Sequence, residues 1–290
     1  MPEVAVPDAF EWVPFTWGPL LRCAPLAAIA AHGFTTRMPA LDPGSRTDGD
    51  GWPDVAGAVG ASPEQLVRLR QVHGTHAVIA RRRDGVPAGA LDWSTGDVLA
   101  TDRDDVALCV RVADCVPILL ADRVTGAVAG VHAGWRGTAD GASAAAVEVL
   151  SSQFGCDPAN IVAAIGPSIG PCCYRVGGDV RAVFEADGRW NADLDAWFSP
   201  SPTGPALCGI PGADPADQGL PSLFLDTWAA NAAQLRLAGV PASQVHTSRL
   251  CTSCYRDLLH SYRVDGPHAG RMVALIRGGP GRSASPVQTE

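Results

Sequence analysis

Three residues far apart in the chain, His73, Cys115 and His132, are of types that bind zinc, because neutral imidazole and thiolate are both favoured Zn²⁺ ligands. Three protein ligands leave a fourth position for water or substrate, which is the arrangement of a catalytic site rather than a closed structural one. Zinc held there would lower the pKa of a water towards neutrality or polarise a substrate oxygen. The candidates lie in segments that put polar side chains beside strand ends or turns: Gln71-Val72-His73-Gly74, Ala113-Asp114-Cys115-Val116-Pro117, Val131-His132-Ala133-Gly134-Trp135-Arg136-Gly137 and Ser261-Tyr262-Arg263. Spacing alone makes no short ligand motif of the three. On spacing alone, a hydrogen-bonded core histidine, a small buried cysteine and a histidine capping a turn are the commoner account of them. A second chemistry uses part of the same set: Cys115 as nucleophile with His132 as its base gives a metal-free cysteine hydrolase, since it too needs a thiolate beside imidazole. A non-enzyme reading is a zinc-stabilised binding module, with Cys251-x-x-Cys254 as half of a structural site. There is no second Cys-x-x-Cys, and Cys172-Cys173 has the wrong spacing, so Cys251 and Cys254 are read as plain reduced thiols. His76 falls on the opposite face from His73 if both lie on a strand, and is left out of the metal set. His32, His246, His260 and His268 have no distinguishing context.

The elements that must position these groups are legible in the pattern. Residues 106–112 alternate apolar with polar or small side chains and predict a half-buried strand, whereas 116–120 and 127–131 are nearly continuous apolar runs and predict buried strands. Residues 138–154 are small, apolar and helix-forming and stop at Gly155, predicting one helix packed on those strands. Ser62-Pro63-x-Gln65 carries the signature of a capped helix start after a long loop at 38–60. Residues 161–165 and 272–276 predict further strands, and 223–237 a helix. Residues 191–222 have no clear period and read as an insertion or extended loop, and 278–290 as a disordered tail. Strands and helices alternate without a repeat, so the class is a layered α/β or α+β fold, with one domain over 1–277.

Composition narrows the function. At 290 residues the chain is ample for a sizeable core, and no apolar run approaches the ~18 residues of a membrane span. The first residues carry Glu3, Asp8 and Glu11 where a secretory signal would carry Lys or Arg, which points to the cytoplasm and no membrane partner. A formal charge of −8 argues against a nucleic-acid-binding surface. The one basic run, Arg81-Arg82-Arg83, precedes the turn signal Asp84-Gly85. Nine cysteines, an odd number without framework spacing, predict reduced thiols.

The order of the segments carries more than any one of them. Gln-Val-His-Gly at 71–74, Ala-Asp-Cys-Val-Pro at 113–117, His-Ala-Gly-Trp-Arg-Gly at 132–137, Gly-Pro-Ser-Ile at 166–169, Leu225-Asp226 through Asn231, Cys251-Thr252 and Ser261-Tyr262-Arg263 follow one another. This succession resembles the bacterial YfiH-like family, also called the laccase-domain, polyphenol-oxidase or purine nucleoside phosphorylase family. The resemblance spans about residues 28–277 and is highly specific.

The resemblance implies a four-layer α/β/β/α sandwich with mixed sheets and zinc bound by His73, Cys115 and His132. It implies phosphorolysis of adenosine, inosine and methylthioadenosine and hydrolytic deamination of adenosine, with purine nucleoside and phosphate as partners of a monomer or weak homo-oligomer. Phosphorolysis needs a cationic or N–H-lined phosphate pocket. Arg37, in His-Gly-Phe-Thr-Thr-Arg, matches the family's Phe-Ser/Thr-x-Arg motif and is the first phosphate candidate, with Thr35 as a hydroxyl partner. Arg136 is the second, because Gly137-Thr138 reads as a helix opening that favours anions. Asp114 is a candidate to orient a ligand histidine or receive a proton, and Ser261 and Arg263 to line the same pocket. Trp135 reads as packing. Two departures bear on substrate contacts: Met38-Pro39-Ala40 replaces the family's Gly-Gly turn, and Arg175 replaces the common Glu. Some members are linked to editing of peptidoglycan precursors, an alternative substrate class. A multicopper laccase is rejected, since the chain has seven histidines and no His-x-His pair. Copper remains an adventitious occupant of the three-ligand site.

Overall fold

The structure, a computed structural model, describes residues 4–15, 17–37, 51–81, 93–204 and 222–279. The departure at Met38-Pro39-Ala40, Arg82, Arg83, Asp84 and Gly85 of the basic run, most of 191–222 and the tail from 280 lie outside the described residues.

Two sheets carry the fold. One has seven strands, in the order β1 (Phe10–Phe15), β2 (Gly18–Cys23), β3 (Ala31–Thr35), β16 (Met272–Arg277), β8 (Ala107–Val112), β4 (Leu66–Arg70) and β6 (Ser94–Thr95). The other has six, in the order β15 (Val245–Thr247), β11 (Ile161–Ile165), β9 (Val116–Asp122), β10 (Val128–Ala133), β7 (Val98–Thr101) and β5 (Ala77–Ala80). Both are mixed: β4 runs parallel to β6 and β8, and β11 and β5 run parallel to β15 and β7, while the other pairs are antiparallel.

The period-2 alternation of side chains explains how these sheets stack. Leu108, Val110 and Val112 of β8 meet Leu119 and Ala121 of β9, Val128, Val162, Ala164 and Phe34 in one core between the sheets. Ala107 and Cys109, on the other face of β8, pack with Trp52, Val55 and Ala56 of helix α2 (Trp52–Gly57). Ile118 and Leu120, on the other face of β9, pack against Ala142, Ala146, Val147 and Leu150 of α4 (Ala142–Phe154) and Leu235 of α7 (Thr227–Leu237). Helix, sheet, sheet and helix form the four-layer α/β/β/α sandwich. A third, three-stranded sheet of β12 (Arg175–Gly177), β14 (Ser222–Leu225) and β13 (Phe198–Ser199) packs with helices α3 (Trp135–Asp140), α5 (Gly178–Asp187) and α6 (Leu194–Trp197).

Several local expectations change in the folded chain. Residues 107–112 are a strand, but it is buried on both faces because helix α2, within the expected loop, covers the outer side. The Ser62 signature opens a single 3-10 turn, Pro63–Gln65, with the Ser62 N–H donating to the Gln65 side chain at 2.9 Å. Leu66 then turns extended, because Leu66, Val67 and Leu69 are more deeply buried as a strand beside β8. The expected helix over 138–154 is two helices broken at Gly141, whose φ of +87° is a left-handed conformation that glycine adopts without a Cβ clash. The expected helix over 223–237 starts at Thr227; Leu223 to Leu225 pair in a sheet instead, and the Asp226 side chain caps the helix by accepting from the Ala229 N–H at 2.9 Å.

His32, without context in the sequence, is a core histidine. It lies on β3, and its Nδ1–H donates to the Ala30 carbonyl at 3.1 Å while Nε2 accepts the Cys23 N–H at 3.0 Å. Protonation would remove that acceptor, and burial pushes the imidazole down to about 4, a shift its bond to Ala30 opposes. A base whose folded pKa is depressed stabilises the fold fully above its unfolded value, near 6.5, and less as pH falls towards 4. The shift corresponds to about 3 kcal/mol lost across that window. Urea midpoints measured from pH 7.5 to 4.5 should fall with pH, and His32→Gln, which keeps an acceptor for Cys23, should flatten the slope; an equal slope in both proteins would assign it elsewhere.

Candidate metal centre and its cavity

Two of the candidate ligands arrive on connections and the third near the end of a strand. His73 follows β4, in a loop where its own φ is +65°. Cys115 ends the 113–115 turn that carries the chain from β8 in one sheet to β9 in the other, after Asp114 at φ +85°. His132 sits near the end of β10, paired with Pro117 of β9. Their ligand atoms all lie within 4.8 Å of one another, and the two imidazole rings meet edge to face with centroids 4.8 Å apart. Gly134 leaves the space for this: a Cβ there would come within 2.8 Å of His73 Cδ2 and 3.2 Å of Cys115 Sγ.

What fixes the ligands is Asp97. It is wholly buried, between Gly96 and the start of β7. Its carboxylate accepts the N–H groups of Val72 (3.1 Å), His73 (2.9 Å) and Gly74 (2.8 Å), and the Nδ1–H of His132 at 2.8 Å. Burial pushes this carboxyl up, but the His132 bond and the backbone donors outweigh it and hold it below its ordinary value. With Nδ1–H so engaged, His132 presents the lone pair of Nε2, and a carboxylate behind a histidine ligand orients the ring and raises its basicity. Gln71 anchors the same loop, donating to the Arg111 carbonyl at 2.8 Å and accepting its N–H at 2.9 Å. Burial opposes charge on both Cys115 and His132, yet their mutual attraction draws the thiol down and the imidazole up. A thiolate facing two imidazoles is a donor set suited to a borderline-soft divalent ion, so this cluster can hold a metal.

The cluster opens into a cavity of about 550 Å³ lined by His73, Cys115, His132, Asp114, Arg263 and Ile169, with Arg70, Arg111, Arg271, Tyr174 and Tyr262 completing its wall. Arg70 is held by Thr95 Oγ1, Arg111 lies 4.4 Å over the Trp93 ring, and Arg271 bonds the Ala269 and Gly270 carbonyls. The Asp114 carboxylate is engaged elsewhere: it accepts from Thr252 Oγ1 at 2.5 Å and from the Arg263 N–H at 2.6 Å, and burial pushes its carboxyl up against those bonds. The orienting carboxylate is thus Asp97. Arg37, Thr35, Arg136 and Ser261 are not among the described residues lining the cavity. Arg37 bonds the Arg256 carbonyl at 2.5 Å, Thr35 accepts the Val273 N–H, Arg136 lies over Trp135, and Ser261 meets Ser253. Arg175 is not among the described residues lining the cavity, and its carbonyl accepts from Arg263. His76 is not on a strand, and its carbonyl serves Asp97 and Val98.

The sequence points to Arg263, which lines the cavity, but not to Asp97, Arg70, Arg111 or Arg271. Asp114 is singled out by its place beside Cys115, and Asp97, which abuts the apolar residues 98–100, has no such neighbour; nothing in the sequence says which acid faces His132. Asp97→Asn should weaken Zn²⁺ affinity by about 10- to 100-fold, and Gly134→Ala should weaken it by displacing His73. Competition against a chromophoric chelator measures both; unchanged affinity in Asp97→Asn would remove Asp97 from the centre.

Residues 52–278 match the family described as multi-copper polyphenol oxidoreductase laccase. The chain is 35% identical over 292 residues to a protein named purine nucleoside phosphorylase YlmD from Geobacillus stearothermophilus, covering 93% of this chain and 97% of that one. It is 34% identical over 221 residues to a protein named adenosine deaminase RL5 from an unknown prokaryotic organism, covering 75% and 77%. The crystal structure of the Bacillus licheniformis hypothetical protein YfiH superposes with a TM-score of 0.76 at 28% identity, covering 94% of this chain and all of that one. The chain belongs to the YfiH-like family, the one described as multi-copper polyphenol oxidoreductase laccase.

Proposed function

We propose that this protein is a zinc-dependent purine nucleoside phosphorylase that also deaminates adenosine, with both reactions in the cavity beside His73, Cys115 and His132. The observation that carries the reading is the placement of one cavity: a three-ligand cluster at its floor, arginines on its wall and two tyrosines beside them. The names of the relatives support the substrate class.

Zinc, when bound, supplies a Lewis acid at the cavity floor. Arg70, Arg111 and Arg271 hold phosphate, since guanidinium forks match its oxygens and a cavity shields them from water. Tyr174 and Tyr262 flank the purine. An oxygen of monohydrogen phosphate forms the new bond to the ribose C1′ as the bond from C1′ to the base nitrogen breaks, the proton given up by phosphate passes to the departing base, and the arginines stabilise the charge spread over phosphate and ribose. Arg263, held by the Arg175 carbonyl and lying 5.3 Å over Tyr174, keeps that ring in place. Asp114 holds the wall by tying the 113–115 turn to Thr252 and Arg263. Arg37 braces the 256–259 segment, and the Ser261 hydroxyl bonds the Asp114 carboxylate. Adenosine, inosine and methylthioadenosine share the purine and ribose that this wall would contact.

Incubated with adenosine, the purified protein should release adenine and ribose 1-phosphate only when phosphate is present, and inosine with or without it. Both activities should vanish in His132→Ala and on chelation, whereas a metal-free hydrolase built on Cys115 and His132 would survive the chelator. Arg271→Met should raise the phosphate KM by ten-fold or more and leave phosphate-independent deamination within a few-fold. Neither product from metal-loaded protein would overturn the purine reading and favour a peptidoglycan-precursor substrate.

A further inference from the structure

A second cluster of metal-type ligands lies outside the cavity. Cys172, Cys173, Cys251 and Cys254, which the sequence spacing separates into an adjacent pair and a Cys-x-x-Cys, bring their sulfurs within 4.8 Å of one another. Cys254 Sγ lies 3.6 Å from that of Cys172 and 3.5 Å from that of Cys173. A tetrahedral zinc with bonds of about 2.3 Å separates its sulfurs by about 3.8 Å, so these contacts are already close to those of a closed tetrathiolate.

Two turns and the bridge between them set this geometry. The Cys173 and Tyr174 N–H groups donate to the Gly170 carbonyl, and the Cys254 and Tyr255 N–H groups to the Cys251 carbonyl. Ser168 and Cys251 pair as a parallel bridge, with the Ser168 N–H on Leu250 and the Thr252 N–H on Ser168. Gly170 permits the approach, since a Cβ there would meet the Trp228 ring at 2.4 Å. Its N–H donates to Cys251 Sγ at 3.3 Å, a bond that stabilises a thiolate. Ile169 and, in part, Trp228 and Tyr174 enclose the sulfurs in apolar surface, where thiolates need a cation. One disulfide would join two of the four sulfurs and leave the other two. A central ion engages all of them at once.

We infer that Cys172, Cys173, Cys251 and Cys254 form a second, structural zinc site that staples the 168–174 and 251–254 segments together. Its role is positional: Ile169 and Tyr174 line the cavity, Ile169 N–H donates to the Asp114 carbonyl, and Thr252 holds the Asp114 carboxylate. The ion at this site has no open position and takes no part in chemistry.

The full chain, purified under reducing conditions and loaded with Zn²⁺, should hold two zinc ions per chain. His132→Ala should hold one, and that remaining zinc should show four sulfur neighbours at about 2.3 Å by X-ray absorption, a readout that leaves the cysteine cluster untouched. Cys251→Ser with Cys254→Ser should also lose one zinc while the other keeps nitrogen neighbours. One zinc in wild type and none in His132→Ala would overturn the proposal. So would a disulfide involving Cys254, found by mass spectrometry of protein purified without reductant and refractory to zinc loading after reduction.

Discussion

Asp97 gathers the candidate centre. A carboxylate with no contact with solvent must find donors within the fold, and this one finds three consecutive N–H groups of the 72–74 loop together with the imidazole of His132. The same bonds that compensate its burial draw the His73 loop to the end of β10 and fix the tautomer of His132. His73 is held at positive φ, a conformation unusual for a residue with a Cβ, and the N–H bond to Asp97 is the local interaction that holds it there. The placement of the two histidines is therefore a consequence of satisfying one buried charge.

The position of that charge follows from the sandwich. Asp97 precedes β7, and β7 pairs with β10, whose His132 N–H donates to the Asp97 carbonyl. Cys115 comes from the opposite side, on the turn that passes between the two sheets. A centre at this crossing takes His73 and Cys115 from connections and His132 from the end of β10, with β9 and β10 behind them wholly buried. That division suits a site: the loops carry the chemistry and the packed strands hold their ends in place.

Around the centre the cavity wall is built from arginines whose guanidinium groups are held by Thr95, by the Trp93 ring or by carbonyls. Ordering these side chains before a ligand arrives reduces the entropy lost on binding, and the enclosure strengthens their attraction for an anion. The protein's net charge of −8 coexists with this concentrated positive wall, so overall charge says little about the site. The cysteine cluster packs against Ile169 and Tyr174, which line the same cavity.

The sequence by itself determined the strands read at 106–112, 116–120, 127–131, 161–165 and 272–276, because period-2 alternation and short apolar runs flanked by turns have few other uses. It also singled out His73, Cys115 and His132, through segments whose succession resembles one family. It misjudged 62–70, 138–154 and 223–226, where local capping or helix propensity was overridden by sheet pairing and by Gly141. Only the tertiary structure decided that Asp97 rather than Asp114 stands behind His132, that Arg70, Arg111 and Arg271 rather than Arg37 and Arg136 line the cavity, and that four cysteines of unpromising spacing converge. Each of these depends on contacts between segments from about 20 to more than 80 residues apart, and periodicity reports only which face of an element is buried, not what that face meets.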